Sequence, residues 1–233
     1  MNDSKLQYGM SRRDIRLIVF DWDGTLMDSE GQIVACLRAA MRDLGLAPLA
    51  DDTLGNVIGL GLREAIDALV PGQDESFHTA FAGHYRNHWF ASENSRLFDD
   101  ARDVLELCKQ QGFLLGVATG KSRRGLDRVL VETGLDLCFD ATRCADEAPS
   151  KPHPQMLVDI MQVLDVLPEQ TIMVGDTEYD LEMASNAGVA SVGVSFGVHS
   201  IERLEVHGPM AIVDELPQLL DLPALSGRAP TGS

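Results

Sequence analysis

The sequence predicts an α/β fold: a Rossmann-like parallel sheet core with helices on both faces and an inserted α-helical segment. Three observations carry that expectation. Short apolar runs at 17–20, 114–118, 171–174, 191–194 and 211–213 alternate with stretches of helical periodicity, as strands buried in a parallel sheet do. Two of those runs lead into acids, Asp21 after the first and Asp176 after the third. From Ser29 to about Arg96 the alternation stops and the chain reads as helical throughout.

Taken in order, residues 1–14 lack the apolar stretch of a signal peptide and are expected to be disordered. The first strand, Leu-Ile-Val-Phe, runs into Phe20-Asp21-Trp22-Asp23-Gly24-Thr25, where Gly24 breaks the pattern. Side chains alternate along a strand, so Asp21 and Asp23 share one side and Trp22 faces the other as packing. An acidic turn capping the next helix is the plain alternative. Against it, the five positions Asp21, Asp23, Gly24, Thr25 and Asp28 match by chance at roughly one start position in a few million.

Ser29 with Gln32 reads as a capping-box start, and Ile33, Leu37, Ala40, Met41 and Leu44 then hold one helical face. Further helices are expected over 52–58, 62–70 and 75–90. The turn Gly59-Leu60-Gly61-Leu62-Arg63 permits close backbone approach, and Arg63 there is suited to gripping a substrate carboxylate with two hydrogen bonds. It is equally suited to pairing with an acid such as Asp67 on a helix surface. His84 and His88, four apart, read as a solvated helical face, because no Glu completes a zinc motif between them.

After the insert, helices are expected over 100–111, 123–133, 155–164, 179–187 and 216–220, with Gly112, Gly134 and Gly188 just past three of them as helix-ending residues. Lys151 stands in a loop stiffened by Pro152 and Pro154, with His153 between them. In such sheets ligands bind outside the carboxyl ends of the strands. Acids ending two neighbouring strands repel unless a cation joins them, and a hard oxygen-seeking ion such as Mg²⁺ meets that need. Zinc is disfavoured, since no Cys or His pair flanks the acids at ligand spacing.

The chain has 233 residues, 45% of them hydrophobic and 24% charged, enough for one full core and a smaller unit. A formal net charge of −17 argues against nucleic acid or an anionic membrane as partner, since both demand a basic surface. Cys36, Cys108, Cys138 and Cys144 show no paired spacing and are expected to be reduced, buried thiols. With no run long enough to span a bilayer, a cytoplasmic location is expected. The small, polar tail 226–233 is expected to be disordered, and no feature announces an oligomeric state.

The blocks Asp21-Trp22-Asp23-Gly24-Thr25-Leu26-Met27-Asp28-Ser29, Val117-Ala118-Thr119-Gly120-Lys121-Ser122, Lys151-Pro152-His153-Pro154 and Gly175-Asp176-Thr177-Glu178-Tyr179-Asp180 resemble the four ordered motifs of the haloacid dehalogenase superfamily. More narrowly, the chain is similar to its phosphoglycolate phosphatase branch, over about residues 15–222. The resemblance implies that Asp21 is a nucleophile taking the phosphoryl group as an aspartyl-phosphate, and that Asp23 is the general acid and base. It further implies Mg²⁺ held by the Asp21 carboxylate, the Asp23 backbone carbonyl and Asp176, with Asp180 orienting a metal-bound water. Thr119, Gly120 and Lys151 match positions that hold the phosphoryl group, and residues 29–96 match the branch's small helical cap. A cap that excludes water and macromolecules implies a small phosphate ester as substrate.

Phosphoglycolate or a similar metabolite is the expected substrate of a phosphatase with these residues. An inorganic pyrophosphatase of the same branch is an open alternative. A phosphosugar mutase of the branch is disfavoured, because Ile33 stands where such enzymes typically carry His. Dehalogenation needs neither metal nor leaving-group protonation, so Asp23, Asp176 and Asp180 argue against it. A signalling receiver domain, a binding module of another class, also phosphorylates an Asp on a parallel sheet, but neither the insert nor the Asp-x-Asp-Gly-Thr order is expected of one.

Overall fold

The computed structural model describes residues 15–92 and 95–226. The expected disordered tails, apart from Ser226, lie outside the described residues. In chain order the elements are β1 (Leu17–Phe20), β2 (Met27–Asp28), α1 (Glu30–Asp43), α2 (Asp51–Gly55), α3 (Leu62–Leu69), α4 (Glu75–Ala91), β3 (Arg96–Leu97), α5 (Ala101–Gln110) and β4 (Leu114–Thr119). They continue as α6 (Arg123–Thr133), β5 (Ala141–Cys144), α7 (Gln155–Leu164), β6 (Thr171–Gly175), α8 (Glu178–Asn186), β7 (Ala190–Val194), α9 (Ile201–Glu205) and β8 (Ala211–Val213), ending in a 3-10 turn at Leu216–Asp221.

Six strands form one parallel sheet in the order β5-β4-β1-β6-β7-β8. β1 lies near the middle, with Phe20 opposite Val117 of β4 on one side and Val174 of β6 on the other. That order brings the carboxyl ends of β4, β1 and β6 side by side. Alternation along the strands splits the core into two apolar layers. Ile18, Phe20, Val117 and Ile172 face α5 and α6, while Leu17, Val19 and Met173 face α7 and α8. Trp22 is fully buried in the first layer, edge-on to Phe139 at 6.2 Å, as its packing role required.

Among its described residues, the segment between β2 and β3 carries four helices and no strand, as expected. Helices α1 to α4 close around an apolar cluster of their own that includes Leu37, Met41, Leu54, Ile66 and Phe81. The chain leaves and re-enters the sheet unit through a two-residue antiparallel ribbon, Met27 opposite Leu97 and Asp28 opposite Arg96.

Some expectations change. Ser29 does cap α1 by position, but its hydroxyl bonds no helix N–H and points to Asp23 instead, while Gln32 bonds Ser92 and Ser95. No reciprocal capping box forms. Strand β5 was not legible, because Ala-Thr-Arg-Cys at a sheet edge is buried only at its two ends and shows no apolar run. The expected helix over 216–220 is the terminal 3-10 turn, with Pro217 in its first turn. Gly112, Gly134 and Gly188 do follow their helices, with φ of 80°, 65° and 69° that suit glycine. Cys36, Cys108 and Cys144 are buried free thiols, whereas Cys138 is only half-buried.

Candidate active site

Asp21 directly follows β1, and its backbone N–H donates to Val174 O at 2.9 Å, fixing the carboxylate between β4 and β6. Asp176 follows β6, and Asp180 lies in the first turn of α8. All three are buried, and each offers an oxygen within 4.8 Å of the others. Lys151 Nζ stands 2.7 Å from Asp21 Oδ1 and 2.7 Å from Asp180 Oδ1, with its side chain fully buried. Both contacts are buried ion pairs. Asp21 Oδ2 is buried with no hydrogen-bond partner.

The remaining oxygens are spoken for. Asp176 Oδ1 accepts from the Thr25 hydroxyl at 2.8 Å and Oδ2 from the Val198 N–H at 2.9 Å. Asp180 Oδ2 accepts from both the N–H and the hydroxyl of Thr177. Two chain segments press on Asp176 so closely that only glycine fits them. A Cβ on Gly24 would stand 2.2 Å from Asp176 Oδ2, and one on Gly197 would stand 2.2 Å from Asp176 Cβ.

Electrostatics follow from three buried carboxylates against one ammonium. Burial pushes the Asp21 carboxyl well above its ordinary value; Lys151 pulls it back and Asp180 and Asp176 push it further. Burial, with repulsion from Asp180, raises Asp176 to about 7. Burial works against the Lys151 ammonium, but Asp180 and Asp21 outweigh it and hold its pKa above the usual lysine value. The cluster is short of positive charge.

Asp23 sits beside this group. Its Oδ1 accepts from the Ser29 hydroxyl at 2.6 Å and from Lys121 Nζ at 2.8 Å. From the sequence Ser29 is expected only to cap the first helix of the insert, and Lys121 is given no role. The available signal for Lys121 was its place two residues beyond Thr119, on the same sheet rim as Asp21. Thr119 is fully buried, and its hydroxyl oxygen accepts from the Lys121 N–H at 3.2 Å.

The helical insert reaches the rim at Gly120. A Cβ there would meet Leu60 O at 2.3 Å and Gly59 O at 2.8 Å, so the glycine turn of the insert lies backbone to backbone on the end of β4. The Gly61 N–H donates to Ser150 Oγ at 2.7 Å, next to Lys151, and the Tyr179 hydroxyl donates to Asn56 O at 2.9 Å. A cavity of about 920 Å³ opens between insert and sheet, lined on the sheet side by Asp21, Asp23, Gly120 and Lys121.

Arg63 lines the same cavity, but its Nη1 is 2.7 Å from Glu75 Oε2 in an exposed pair; Asp67 instead bonds His78. His84 and His88 both lie against Asp43 at the α1–α4 contact, and His153 is exposed and accepts from the Gln155 N–H.

Known proteins share this architecture. Residues 18–194 match the sequence pattern of the haloacid dehalogenase-like hydrolases. A protein named probable phosphatase IndB from Dickeya dadantii is 35% identical over 88% of this chain and 91% of its own length. A protein named phosphoglycolate phosphatase from Colwellia psychrerythraea is 30% identical over 91% of this chain and 98% of its own. Among solved structures, a haloacid dehalogenase-like hydrolase from Bacteroides fragilis superposes with a TM-score of 0.82 at 28% identity, covering 88% of this chain and 99% of that one. The match runs from the strand bearing Asp21 to the last residue of β7, and so encloses every acid of the buried cluster and its lysine: the chain belongs to the haloacid dehalogenase-like hydrolase family.

Proposed function

We propose that this protein is a Mg²⁺-dependent phosphatase that hydrolyses small phosphomonoesters through an aspartyl-phosphate on Asp21. The observation that carries the reading is the buried Asp21 carboxylate on the sheet side of the cavity, whose Oδ2 has no hydrogen-bond partner while Lys151 Nζ stands 2.7 Å from Oδ1. The names borne by the Dickeya and Colwellia relatives support the same activity.

The residues fit a hard divalent ion. The donor set is all oxygen, the oxygens converge within 4.8 Å, and one ammonium leaves three carboxylates undercompensated. The Asp21 and Asp176 carboxylates and the Asp23 backbone carbonyl would hold the ion. Asp180, engaged by Lys151 and Thr177, positions the lysine and would orient a water at the ion. Bound Mg²⁺ supplies charge neutralisation for the phosphoryl oxygens.

The chain's own residues do the rest. Asp21 Oδ2 attacks phosphorus as the bond to the leaving alcohol breaks, and Asp23 donates its proton to that leaving oxygen. Asp23 then takes a proton from the water that cleaves the acyl-phosphate, which returns Asp21 as a carboxylate. Ser29 and Lys121 fix the Asp23 carboxyl in place through Oδ1. Lys151 and Thr119 bind phosphoryl oxygens, and burial of the ammonium raises its effect on the developing charge. The helical insert of residues 29–96 acts as the cap that excludes bulk water. Among the described residues no helix is long and apolar enough to cross a membrane, and we place the enzyme in the cytoplasm.

Phosphate release from a panel of phosphomonoesters, with phosphoglycolate as its smallest carboxylated member and pyrophosphate as the test of the neighbouring activity, examines the proposal directly. Turnover with Mg²⁺ that vanishes with chelator and in Asp21→Asn is expected. An active Asp21→Asn protein would refute the nucleophile.

A further inference from the structure

Resting on the phosphatase reading of the site, we propose that the physiological substrate is a phosphomonoester whose alcohol carries a planar ring of about nucleoside size, seated against an aromatic wall formed by Tyr85, Trp89 and Phe90 of α4. Size is the first argument. The cavity of about 920 Å³ is at the upper end of the range for small-molecule sites. A two-carbon ester such as phosphoglycolate would leave most of it to solvent.

The lining is the second argument. Beyond the carboxylates of the sheet rim the lining includes the apolar Leu37, Val57, Leu62 and Ile66 and the three aromatic rings, with charged side chains such as Glu64, Arg86 and Asp146 among them. Tyr85 and Trp89 stack with centroids 6.1 Å apart and planes 23° from parallel. A wall of this kind gains little from a small hydrated acid and much from a flat apolar face.

The third argument connects the wall to the chemistry. Lys121 Nζ lies 2.8 Å from Asp23 Oδ1 and 4.4 Å from the centre of the Trp89 ring, so Trp89 stands one ammonium away from the general acid. A ring attached to the alcohol that Asp23 protonates falls naturally within reach of Trp89. At the outer end, Arg124 and Arg128 of α6 lie over Phe90 at 5.8 and 4.9 Å, extending the cation-bearing aromatic surface to the cavity mouth. Arg63, the side chain best suited to a small carboxylate, already holds Glu75.

Adenosine and uridine 5′-monophosphates are suitable ring-bearing probes, with phosphoglycolate and glycerol 3-phosphate as ring-free ones. With Mg²⁺, kcat/KM for at least one nucleotide should exceed both ring-free esters by tenfold or more. Trp89→Leu should lower the nucleotide to glycerol phosphate ratio by about tenfold, and Trp89→Phe should keep most of it. Binding gives a second readout. The chain has two tryptophans, and Trp22 is fully buried in the core, so a nucleotide stacking on Trp89 should quench fluorescence in Asp21→Asn while glycerol 3-phosphate should not. Preference for a ring-free ester, an equal loss for all esters in Trp89→Leu, or no quenching by either nucleotide would overturn the ring site. Hydrolysis of no ester at all, with quenching retained, would instead overturn the phosphatase reading and leave the ring site standing.

Discussion

The sheet rim and the helical insert use charge in opposite ways. At the rim, Lys151 has a fully buried side chain and is locked between Asp21 and Asp180, each equally hidden. In the insert, Arg63 and Glu75 form a pair of the same length with side chains 55% and 72% exposed. The buried set is dear to assemble and very costly to break, because removing one partner strands the others in a low dielectric. The exposed pair is screened by water and contributes little. The contrast bears on the proposed function: on that reading the rim would set what bond is cleaved and the insert what fits beside it.

That contrast can be broken most severely at Asp21. Asn there should lower kcat by at least about 10⁴-fold, measured as phosphate release with Mg²⁺, with the fold intact by circular dichroism. Lys151→Met comes next. It should cost about 10³-fold in activity and about 3–5 kcal/mol in denaturant unfolding, since Asp21 and Asp180 lose their buried counter-charge.

The metal-free rim should also show itself in pH dependence. Asp176 has a folded-state pKa raised to about 7, so the native state holds a proton that the unfolded chain has released. Stability is then fully present below the ordinary carboxylate pKa and is lost as pH rises through about 7. In chelator, the melting temperature should fall from pH 5 to pH 8, and Mg²⁺ should recover most of the loss at pH 8. A flat profile without metal would sink the electrostatic account of the cluster.

The insert should be the gentle end of the series. Arg63→Ala should change stability by less than about 1 kcal/mol. It should lower kcat/KM for carboxylated and uncarboxylated esters alike by less than about threefold, because the guanidinium is already held by Glu75. A selective loss on carboxylated esters would give Arg63 a substrate contact after all.

The sequence by itself determined much of this. Strand β1, the placement of Asp21 and Asp23 on one side, Trp22 in the core, and the acids after β6 all follow from alternation and from residues a few positions apart. The helical insert is legible for the same reason, since its apolar spacing is local. What only the tertiary structure decided are contacts between distant segments. Lys121 meets Asp23 across 98 positions, and Gly120 takes the backbone of Leu60 because α2 and α3 return to the rim. Ser29 left a plausible capping box for Asp23, a choice set by burial beside an acid and not by helix propensity. Periodicity records which side of an element is apolar, whereas a cavity and its charge pairs come into being only when separate elements close around the same space.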